Sequence, residues 1–204
     1  MSPYDGLNSQ FDEDLRIGLQ TICSDQLNCT VNSPHLIILS GLPGTGKSFF
    51  ANQLSNCISS VVVSSDRVRK AMIRYPKYTR SEHARVFSVC HKMIEISLGE
   101  SRLVIFDATN LNESFRRPLY DMSGDFNCGL TILAFTASTE EIRNRLFDRS
   151  LGNDPDNYSD ADWKIYEFLS QGQQAISMPH IIVESPKDND VTLKHILTLL
   201  SQDS

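Results

Sequence analysis

One stretch constrains the fold of this chain more than any other, the glycine-rich segment Gly41-Leu42-Pro43-Gly44-Thr45-Gly46-Lys47-Ser48. It follows an apolar run at 36–39 and precedes a segment with helical character at 48–58. A strand, a glycine loop and a helix in this order are the context in which the pattern G-x-x-x-x-G-K-S binds phosphate. Glycines let the backbone wrap closely around an anion, and the following helix directs the positive end of its dipole into the loop. The sequence therefore predicts a site for nucleotide phosphates, with Lys47 beside the β- and γ-phosphates and the Ser48 hydroxyl on Mg²⁺.

Composition places the chain among soluble globular proteins. With 204 residues, of which 40% are apolar, it has the size of one domain with a substantial core. A net charge of -6 does not suit a broadly basic surface for nucleic acid. The five cysteines are scattered and lack C-x-x-C spacing, which argues against a disulfide scaffold or a zinc site. Because a signal peptide and a long apolar run are both missing, we expect a reduced, cytoplasmic protein without a membrane segment.

Residues 1–34 precede the glycine loop and its strand, and we expect them to form a helical extension of a single domain at 35–204. Apolar residues recur there at helical spacing, which predicts a short amphipathic helix: Phe11, Leu15, Leu19 and Ile22. The apolar face of this helix packs either on the domain's own sheet or on a partner, and the sequence leaves both alternatives open.

Apolar runs alternate with helical segments along the rest of the chain. Near-continuous apolar runs are typical of strands that are buried on both faces, as in a parallel sheet. Such runs lie at 35–39, 61–63, 102–107, 130–135 and 180–183. Helices are predicted between them at 48–58, 81–98, 138–149 and 163–169, and a closing helix at 191–200 turns Val191, Ile196, Leu197 and Leu200 inward. The alternation predicts an α/β fold with a five-stranded parallel sheet.

Polar residues follow the second strand, at the edge where parallel sheets bind ligands. Asp66 lies just past that strand, and Arg69 lies three residues further, on the same face of a helix. In one interpretation Asp66 takes a proton from an attacking hydroxyl while Arg69 holds a polar or anionic part of the acceptor. In the other, Asp66 caps the helix and Arg69 is solvated, and the spacing alone does not separate the two.

The third strand ends in Asp107, the form of the second acidic motif in nucleotide-binding proteins with a phosphate loop. A carboxylate at this position reaches Mg²⁺, often through water. Asn110 extends the same segment into the crevice. Arg116 and Arg117 follow on the next helix and are interpreted as a solvated helix face.

Arg145 and Arg149 are four residues apart at the end of the helix at 138–149 and share one face. They either complement the helix dipole or belong to a lid that closes over transferring phosphate charge. The polar segment at 150–158 is the predicted mobile loop beside them.

With these residues in place, the chain resembles the P-loop kinases grouped around polynucleotide 5′-hydroxyl kinase and the zeta-toxin-like predicted kinases, which are ATP-binding proteins of the AAA_33 type. The segments that carry the resemblance are 41–48, 65–69, 106–112, 145–149 and 159–163. It implies a three-layer P-loop NTPase fold of the nucleotide-kinase kind, with strand order 2-3-1-4-5. It also implies that Asp66 is the general base, that Arg69 binds the acceptor and that Asp107 is the acid after the third strand. Arg145 and Arg149 would be lid arginines, with Arg149 closer to the phosphate.

The predicted reaction moves the γ-phosphoryl group of ATP, with Mg²⁺, to the hydroxyl of an acceptor. The residues fall into four predicted groups: catalytic Lys47, Asp66, Arg145 and Arg149; nucleotide-binding Gly41, Leu42, Pro43, Gly44, Thr45, Gly46, Lys47, Ser48 and Phe49; acceptor-binding Asp66, Arg69, Asp107 and Asn110; and metal-binding Ser48 and Asp107. The acceptor is either a nucleic-acid 5′ end or a small molecule such as a sugar, a nucleotide sugar or an antibiotic. A different alternative is an ATP-hydrolysing switch whose N-terminal helix docks a partner.

Overall fold

The computed structural model of the chain describes residues 9–22, 33–150 and 161–202. The strands are β1 (His35–Ser40), β2 (Val61–Ser64), β3 (Leu103–Asp107), β4 (Gly129–Thr136) and β5 (Ile181–Glu184). The helices of the described part are α1 (Ser9–Leu19), α2 (Lys47–Cys57), α3 (Ser65–Met72), α4 (Arg80–Gly99), α5 (Glu113–Asp125), α6 (Thr139–Ser150), α7 (Trp163–Ser170) and α8 (Asn189–Gln202). The strands form one parallel sheet in the order β2-β3-β1-β4-β5. The structure therefore confirms the predicted five-stranded parallel sheet and its order.

The two faces of the sheet are covered by different helices, because successive residues of a strand point to opposite faces. In β1, Leu36 and Ile38 join one buried cluster, while Ile37 and Leu39 join the other. The first cluster includes side chains of α3, α4 and α5, and the second includes side chains of α2 and α8. Helices, sheet and helices form the three layers expected of the fold.

Helix α1 packs on α3 and α4 at the outside of the first cluster. Its apolar side chains Phe11, Leu15 and Leu19 contact that cluster. Asp14 is only 2% exposed and accepts hydrogen bonds from Arg85 of α4 at 2.5 and 2.6 Å. The apolar face of α1 is thus covered by helices of its own domain, while the boundary between residues 34 and 35 stays a prediction.

Helix α8 corrects one predicted core position. Val191 was expected to face inward, but it is 71% exposed. The buried stripe of α8 is formed by Asn189, Thr192, Ile196 and Leu200, which recur at helical spacing. Val191 is adjacent to Thr192 in sequence and therefore lies about 100° around the helix from the buried stripe.

Three further expectations concern segments. In the described ranges, none of the helices has both the length and the apolarity that a membrane span requires. The predicted cap of α6 is confirmed, because Ser138 and Glu141 exchange hydrogen bonds between side chain and backbone. The predicted mobile loop at 150–158 lies outside the described residues, except for residue 150, which ends α6.

Candidate functional site

Three polar segments meet at the carboxyl edge of the sheet. The strand register aligns Asp107 with Leu39 of β1 on one side and with Ser64 of β2 on the other. The glycine loop begins two residues beyond Leu39, and Asp66 lies two residues beyond Ser64. The glycine loop, Asp66 and Asp107 therefore share one crevice.

The glycine loop has a backbone shape that only glycine adopts readily. Gly44 and Gly46 have φ values of 82° and 97°, in the left-handed region. A Cβ atom at Gly46 would overlap the side chain of Ser185, which lies between β5 and α8. Helix α2 begins at Lys47 without a side-chain cap, so its first N–H groups are available to an anion. Phe49, predicted to complete the nucleotide site, is 61% exposed.

Lys47 is buried in the loop close to the carboxylates of the crevice. Its Nζ donates hydrogen bonds to the Leu42 carbonyl oxygen at 2.9 Å and to Thr45 Oγ1 at 3.5 Å. Burial lowers the pKa of Lys47 to about 8, and the negative charges of Asp107 and Asp66 oppose this shift. A phosphate in the loop would supply further negative charge and stabilise the ammonium form.

Asp107 and Ser48 form a second polar pair beside the loop. The Ser48 hydroxyl donates a hydrogen bond to the buried Asp107 carboxylate. Burial raises the pKa of Asp107, against the effects of Lys47 and of this hydrogen bond. Among the described residues, His, Cys, Asp and Glu side chains form no cluster of three or more that could hold a metal. An ion bound by Ser48 and Asp107 would therefore need phosphate oxygens and water as its remaining ligands, as Mg²⁺ commonly has.

Asp66 lies in the first turn of α3 and is half-buried. The helix is capped by Ser64, whose hydroxyl accepts a hydrogen bond from the Arg67 amide at 3.5 Å. The interpretation of Asp66 as the helix cap is therefore wrong. Its negative charge acts on both Lys47 and Asp107, which places it within electrostatic reach of the glycine loop. Its role as general base stays a prediction.

Arg69 is 4% exposed, so its interpretation as a solvated side chain is also wrong. Its Nη1 forms an ion pair with Glu82 at 2.5 Å, and its Nη2 lies 3.4 Å from His83 Nδ1. The Tyr78 ring covers the guanidinium, with 4.9 Å between Cζ and the ring centroid. Burial and the neighbouring Arg69 lower the pKa of His83 to about 4, so this imidazole is neutral at physiological pH. The role of Arg69 in acceptor binding stays a prediction.

Asn110 is fully buried and has a φ of 46°. Its Nδ2 donates to the Leu39 carbonyl oxygen at 2.8 Å, and its own carbonyl accepts from Ser40 Oγ at 3.1 Å. These bonds join the end of β1 to the chain after β3. In the described part of the chain, Asn110 Oδ1 has no hydrogen-bond partner. The structure places Asn110 at the base of the crevice, and its contact with an acceptor stays a prediction.

Arg116 corrects the expectation of a solvated arginine pair on α5. It is fully buried, whereas the Arg117 side chain is 74% exposed. The Arg116 guanidinium donates to the carbonyl oxygens of Asn110 at 2.7 Å and of Ala175 at 2.6 Å, and it pairs with Glu113 at 2.8 Å. Arg116 thus fixes the segment that carries Asn110.

The two arginines of α6 lie on the other side of the glycine loop. Arg145 Nη1 donates a hydrogen bond to the Gly44 carbonyl oxygen at 3.0 Å. Arg149 lowers the pKa of Lys47 through its positive charge, so it also lies within electrostatic reach of the loop. Arg145 therefore contacts the loop itself rather than only complementing its own helix dipole, and the lid function of both arginines stays a prediction.

Two residues of the crevice are not evident from the sequence. Glu82 pairs with Arg69, but in the sequence it is the fourth residue of a T-x-x-E pattern, which indicates a helix cap. Ser185 packs against Gly46, and no local pattern marks it. Both depend on contacts between segments that are separate in the sequence and adjacent in the fold.

These features define a nucleotide-binding P-loop protein with a kinase-like fold. The chain belongs to the AAA domain family (AAA_33), whose model matches residues 36–167. The predicted resemblance to P-loop kinases is confirmed at this level, and the class of the acceptor is part of the proposal below.

Two solved structures are similar to the chain along most of their length. Kti12 from Chaetomium thermophilum in complex with ADP-AlF3 has a TM-score of 0.62 and 18% identity, covering 80% of this chain and 97% of that chain. The APS kinase CysC from Mycobacterium tuberculosis, in complex with AMPPNP and APS, has a TM-score of 0.60 and 14% identity, covering 83% of this chain and 98% of that chain. At these identities the similarity shows the fold alone.

Curated relatives are longer than this chain. The uncharacterized protein Rv2004c from Mycobacterium tuberculosis is 24% identical over 169 residues, which cover 76% of this chain and 33% of that protein. The uncharacterized protein Mb2027c from Mycobacterium bovis matches with the same values, 24% over 169 residues. The part of this chain that matches therefore covers 33% of the length of these relatives.

Proposed function

We propose that this protein is an ATP-dependent kinase that transfers the γ-phosphoryl group to the hydroxyl of an acceptor. The observation that carries the proposal is the position of Asp66. It shares a crevice with the glycine loop and acts electrostatically on Lys47, and it is not used to cap its helix. A carboxylate so placed is suited to accept the proton of an attacking hydroxyl.

On the nucleotide side, the amides of the glycine loop and the start of α2 bind the phosphates, and Lys47 adds a positive charge. Phe49 and the remaining residues of segment 41–49 complete this site. Ser48 and Asp107 hold Mg²⁺, which neutralises phosphate charge when bound. The contact of Ser48 with Asp107 supports this pairing.

In the chemical step, Asp66 accepts the proton of the acceptor hydroxyl while the hydroxyl oxygen forms a bond to the γ-phosphorus. The bond between the γ-phosphorus and the bridging oxygen breaks, and ADP leaves with that electron pair. Arg145 and Arg149 stabilise the negative charge that spreads over the transferring group. The hydrogen bond of Arg145 to Gly44 supports its place beside the phosphates.

The acceptor contacts Asp66, Arg69, Asp107 and Asn110. A nucleic-acid 5′-hydroxyl and a small hydroxyl compound both fit the reaction. The net charge of -6 favours the small molecule, because a polynucleotide acceptor needs a basic channel.

The alternative of an ATP-hydrolysing switch loses its main support. That alternative depended on a partner for the apolar face of the N-terminal helix, and this face packs on α3 and α4. A protein that only hydrolyses ATP also has no need for the pair of Asp66 and Arg69 next to the glycine loop.

An acceptor screen tests the proposed function. The protein is incubated with γ-labelled ATP and Mg²⁺ together with oligonucleotides, nucleosides, sugars, nucleotide sugars and aminoglycosides. We expect a labelled acceptor product that is absent with Lys47→Met. Release of labelled inorganic phosphate at one rate with every acceptor, and no labelled product, would contradict the proposal.

A further inference from the structure

The arginine predicted to bind the acceptor already has a partner from its own chain. Arg69 Nη1 and Glu82 Oε1 are 2.5 Å apart, and the two side chains are only 5% and 11% exposed. The pair lies between α3 and the first turn of α4, on the part of the crevice that we call the acceptor side (α3, residues 73–79 and the start of α4). Both Asp66 and Arg69 act electrostatically on the buried Cys90 thiol. The charge of Arg69 is thus balanced close to the proposed base.

The contacts of Arg69 engage both terminal nitrogens of its guanidinium. Arginine binds phosphate best through two parallel N–H groups. Here Nη1 donates to Glu82, and Nη2 lies 3.4 Å from His83 Nδ1. Nε has no hydrogen-bond partner among the described residues, so the guanidinium keeps further N–H groups, but its charge is paired with Glu82. His83 adds no positive charge, because its pKa is lowered to about 4 by burial and by Arg69.

Glu82 also holds the chain in front of α4. Its Oε2 accepts hydrogen bonds from the backbone N–H of Lys77 at 2.7 Å and of Tyr78 at 3.2 Å. Burial raises the pKa of Glu82, but the hydrogen bonds from Lys77 and Arg69 prevail, and the pKa is lowered. The Tyr78 ring in turn covers the Arg69 guanidinium. An anion that displaced Glu82 from Arg69 would therefore disturb residues 77–78 as well.

On the basis of the kinase function proposed above, we propose that the acceptor is an uncharged hydroxyl compound, such as a sugar or a nucleoside, and that Glu82 sets this specificity by holding Arg69. A phosphate on the acceptor would bring negative charge next to Glu82 and Asp66 while competing for a cation that is already paired. Repulsion between charges this close in a partly buried site disfavours the charged acceptor by about tenfold or more.

Paired acceptors test this specificity. In each pair the hydroxyl that reacts in the acceptor screen is unchanged and a phosphate is added elsewhere, as in adenosine against adenosine 3′-monophosphate for transfer to the 5′-hydroxyl. For wild type we expect kcat/KM at least about tenfold higher for the uncharged member. Glu82→Gln keeps the shape and an acceptor oxygen for residues 77–78 but removes the charge. We expect this variant to lower KM for the phosphorylated member. The ratio of kcat/KM for the uncharged member to kcat/KM for the phosphorylated member should fall by about tenfold.

The matched control is Glu95→Gln. Glu95 lies on the same helix and pairs with Lys92 at 3.0 Å, with 42% of its side chain exposed. Its substitution should leave the ratio unchanged. A wild-type preference for the phosphorylated members would overturn the proposal. So would a Glu82→Gln variant that lowers kcat/KM equally for both members, because that result indicates a purely structural role.

A binding measurement tests the inference without any turnover. Inorganic phosphate is titrated calorimetrically into protein saturated with AMPPNP, so that the glycine loop is filled. Glu82→Gln should bind phosphate at least about tenfold more tightly than wild type, and Glu82→Gln combined with Arg69→Met should lose this gain. Equal binding by wild type and Glu82→Gln would contradict the role of Glu82. Absence of acceptor product in every pair would instead contradict the proposed kinase function and leave the phosphate titration to decide on Glu82.

Discussion

The crevice has a nucleotide side, formed by the glycine loop and α2, and the acceptor side. These two sides carry their buried cations in different ways. On the nucleotide side, the Lys47 ammonium donates to a carbonyl oxygen and a hydroxyl oxygen, and burial lowers its pKa to about 8. On the acceptor side, the Arg69 guanidinium forms an ion pair with Glu82 at 2.5 Å. Lys47 therefore gains from a bound anion, whereas Arg69 already has a carboxylate beside it.

Because of this difference, we expect ligand affinity and folding stability to respond to different substitutions. A buried cation that awaits an anion is unfavourable in the unliganded protein, and binding removes the penalty. A buried pair contributes little by itself, but removal of one partner leaves an uncompensated charge. Substitution of Lys47 should therefore act mainly on ligand affinity, and substitution of Arg69 mainly on folding.

The largest expected effect on folding is that of Arg69→Met. The Glu82 side chain is only 11% exposed, and loss of the guanidinium removes the cation that pairs with it. This uncompensated charge should lower the free energy of unfolding by roughly 3 to 5 kcal/mol. Urea unfolding at pH 7 measures this. Arg117→Met is the control, because the Arg117 side chain is 74% exposed and should change stability little. Equal losses in the two variants would remove the distinction between the two sides.

The matching change on the nucleotide side is Lys47→Met. Hydrogen bonds to charged groups contribute about 1.5 to 3 kcal/mol, so the Kd for ATP should rise by about 10- to 100-fold. The free energy of unfolding should change less than in Arg69→Met. Calorimetric titration with Mg²⁺-ATP gives the affinity, and the control is Lys92→Met, because the Lys92 side chain is 41% exposed and lies on α4. An unchanged Kd would show that the nucleotide does not reach the Lys47 ammonium.

The stability of the unliganded protein should depend on pH through Lys47. Its pKa in the folded protein is about 8, below the ordinary value of 10.5. Between these values the unfolded chain binds more protons, so the contribution of Lys47 to stability rises with pH and is lowest below pH 8. Across this window the difference in unfolding free energy between wild type and Lys47→Met should shift by up to about 1.4 kcal/mol per pH unit. Parallel profiles for the two proteins would exclude the buried-lysine account.

The smallest effect concerns the anchoring of α1 on the acceptor side. Asp14→Asn weakens the hydrogen bonds from Arg85, which is 41% exposed, and should lower the free energy of unfolding by about 1 kcal/mol. Asp12→Asn, at an exposed position of the same helix, should have no such effect. ATP affinity should be unchanged in both variants. A large loss of ATP affinity in Asp14→Asn would mean that α1 influences the nucleotide side.

The sheet and the glycine loop could be predicted because their signals are local. Apolar runs such as 103–106 are continuous, and the glycine pattern fixes both a backbone shape and its flanking elements. Strand order followed from the resemblance to P-loop kinases. The position of Val191 could not be predicted, since the buried face of α8 is set by its neighbours and not by composition alone.

The charged contacts could not be predicted, because each depends on a partner that is distant in sequence. Glu82 fits a capping pattern, and nothing local indicates that Arg69 lies against it. Arg116 sits next to the exposed Arg117 in sequence, yet it is buried by its bonds to carbonyl oxygens of residues 174–175. Tertiary contacts decided these positions against the local pattern.

The central claim is that Asp66 accepts a proton from an acceptor while the glycine loop holds the nucleotide. Single-turnover transfer from γ-labelled ATP, measured with an acceptor from the screen, tests it most directly in wild type and Asp66→Asn. We expect the variant to bind ATP as wild type does and to transfer the label about 10²- to 10⁴-fold more slowly. Transfer by Asp66→Asn at a rate near that of wild type would contradict the account.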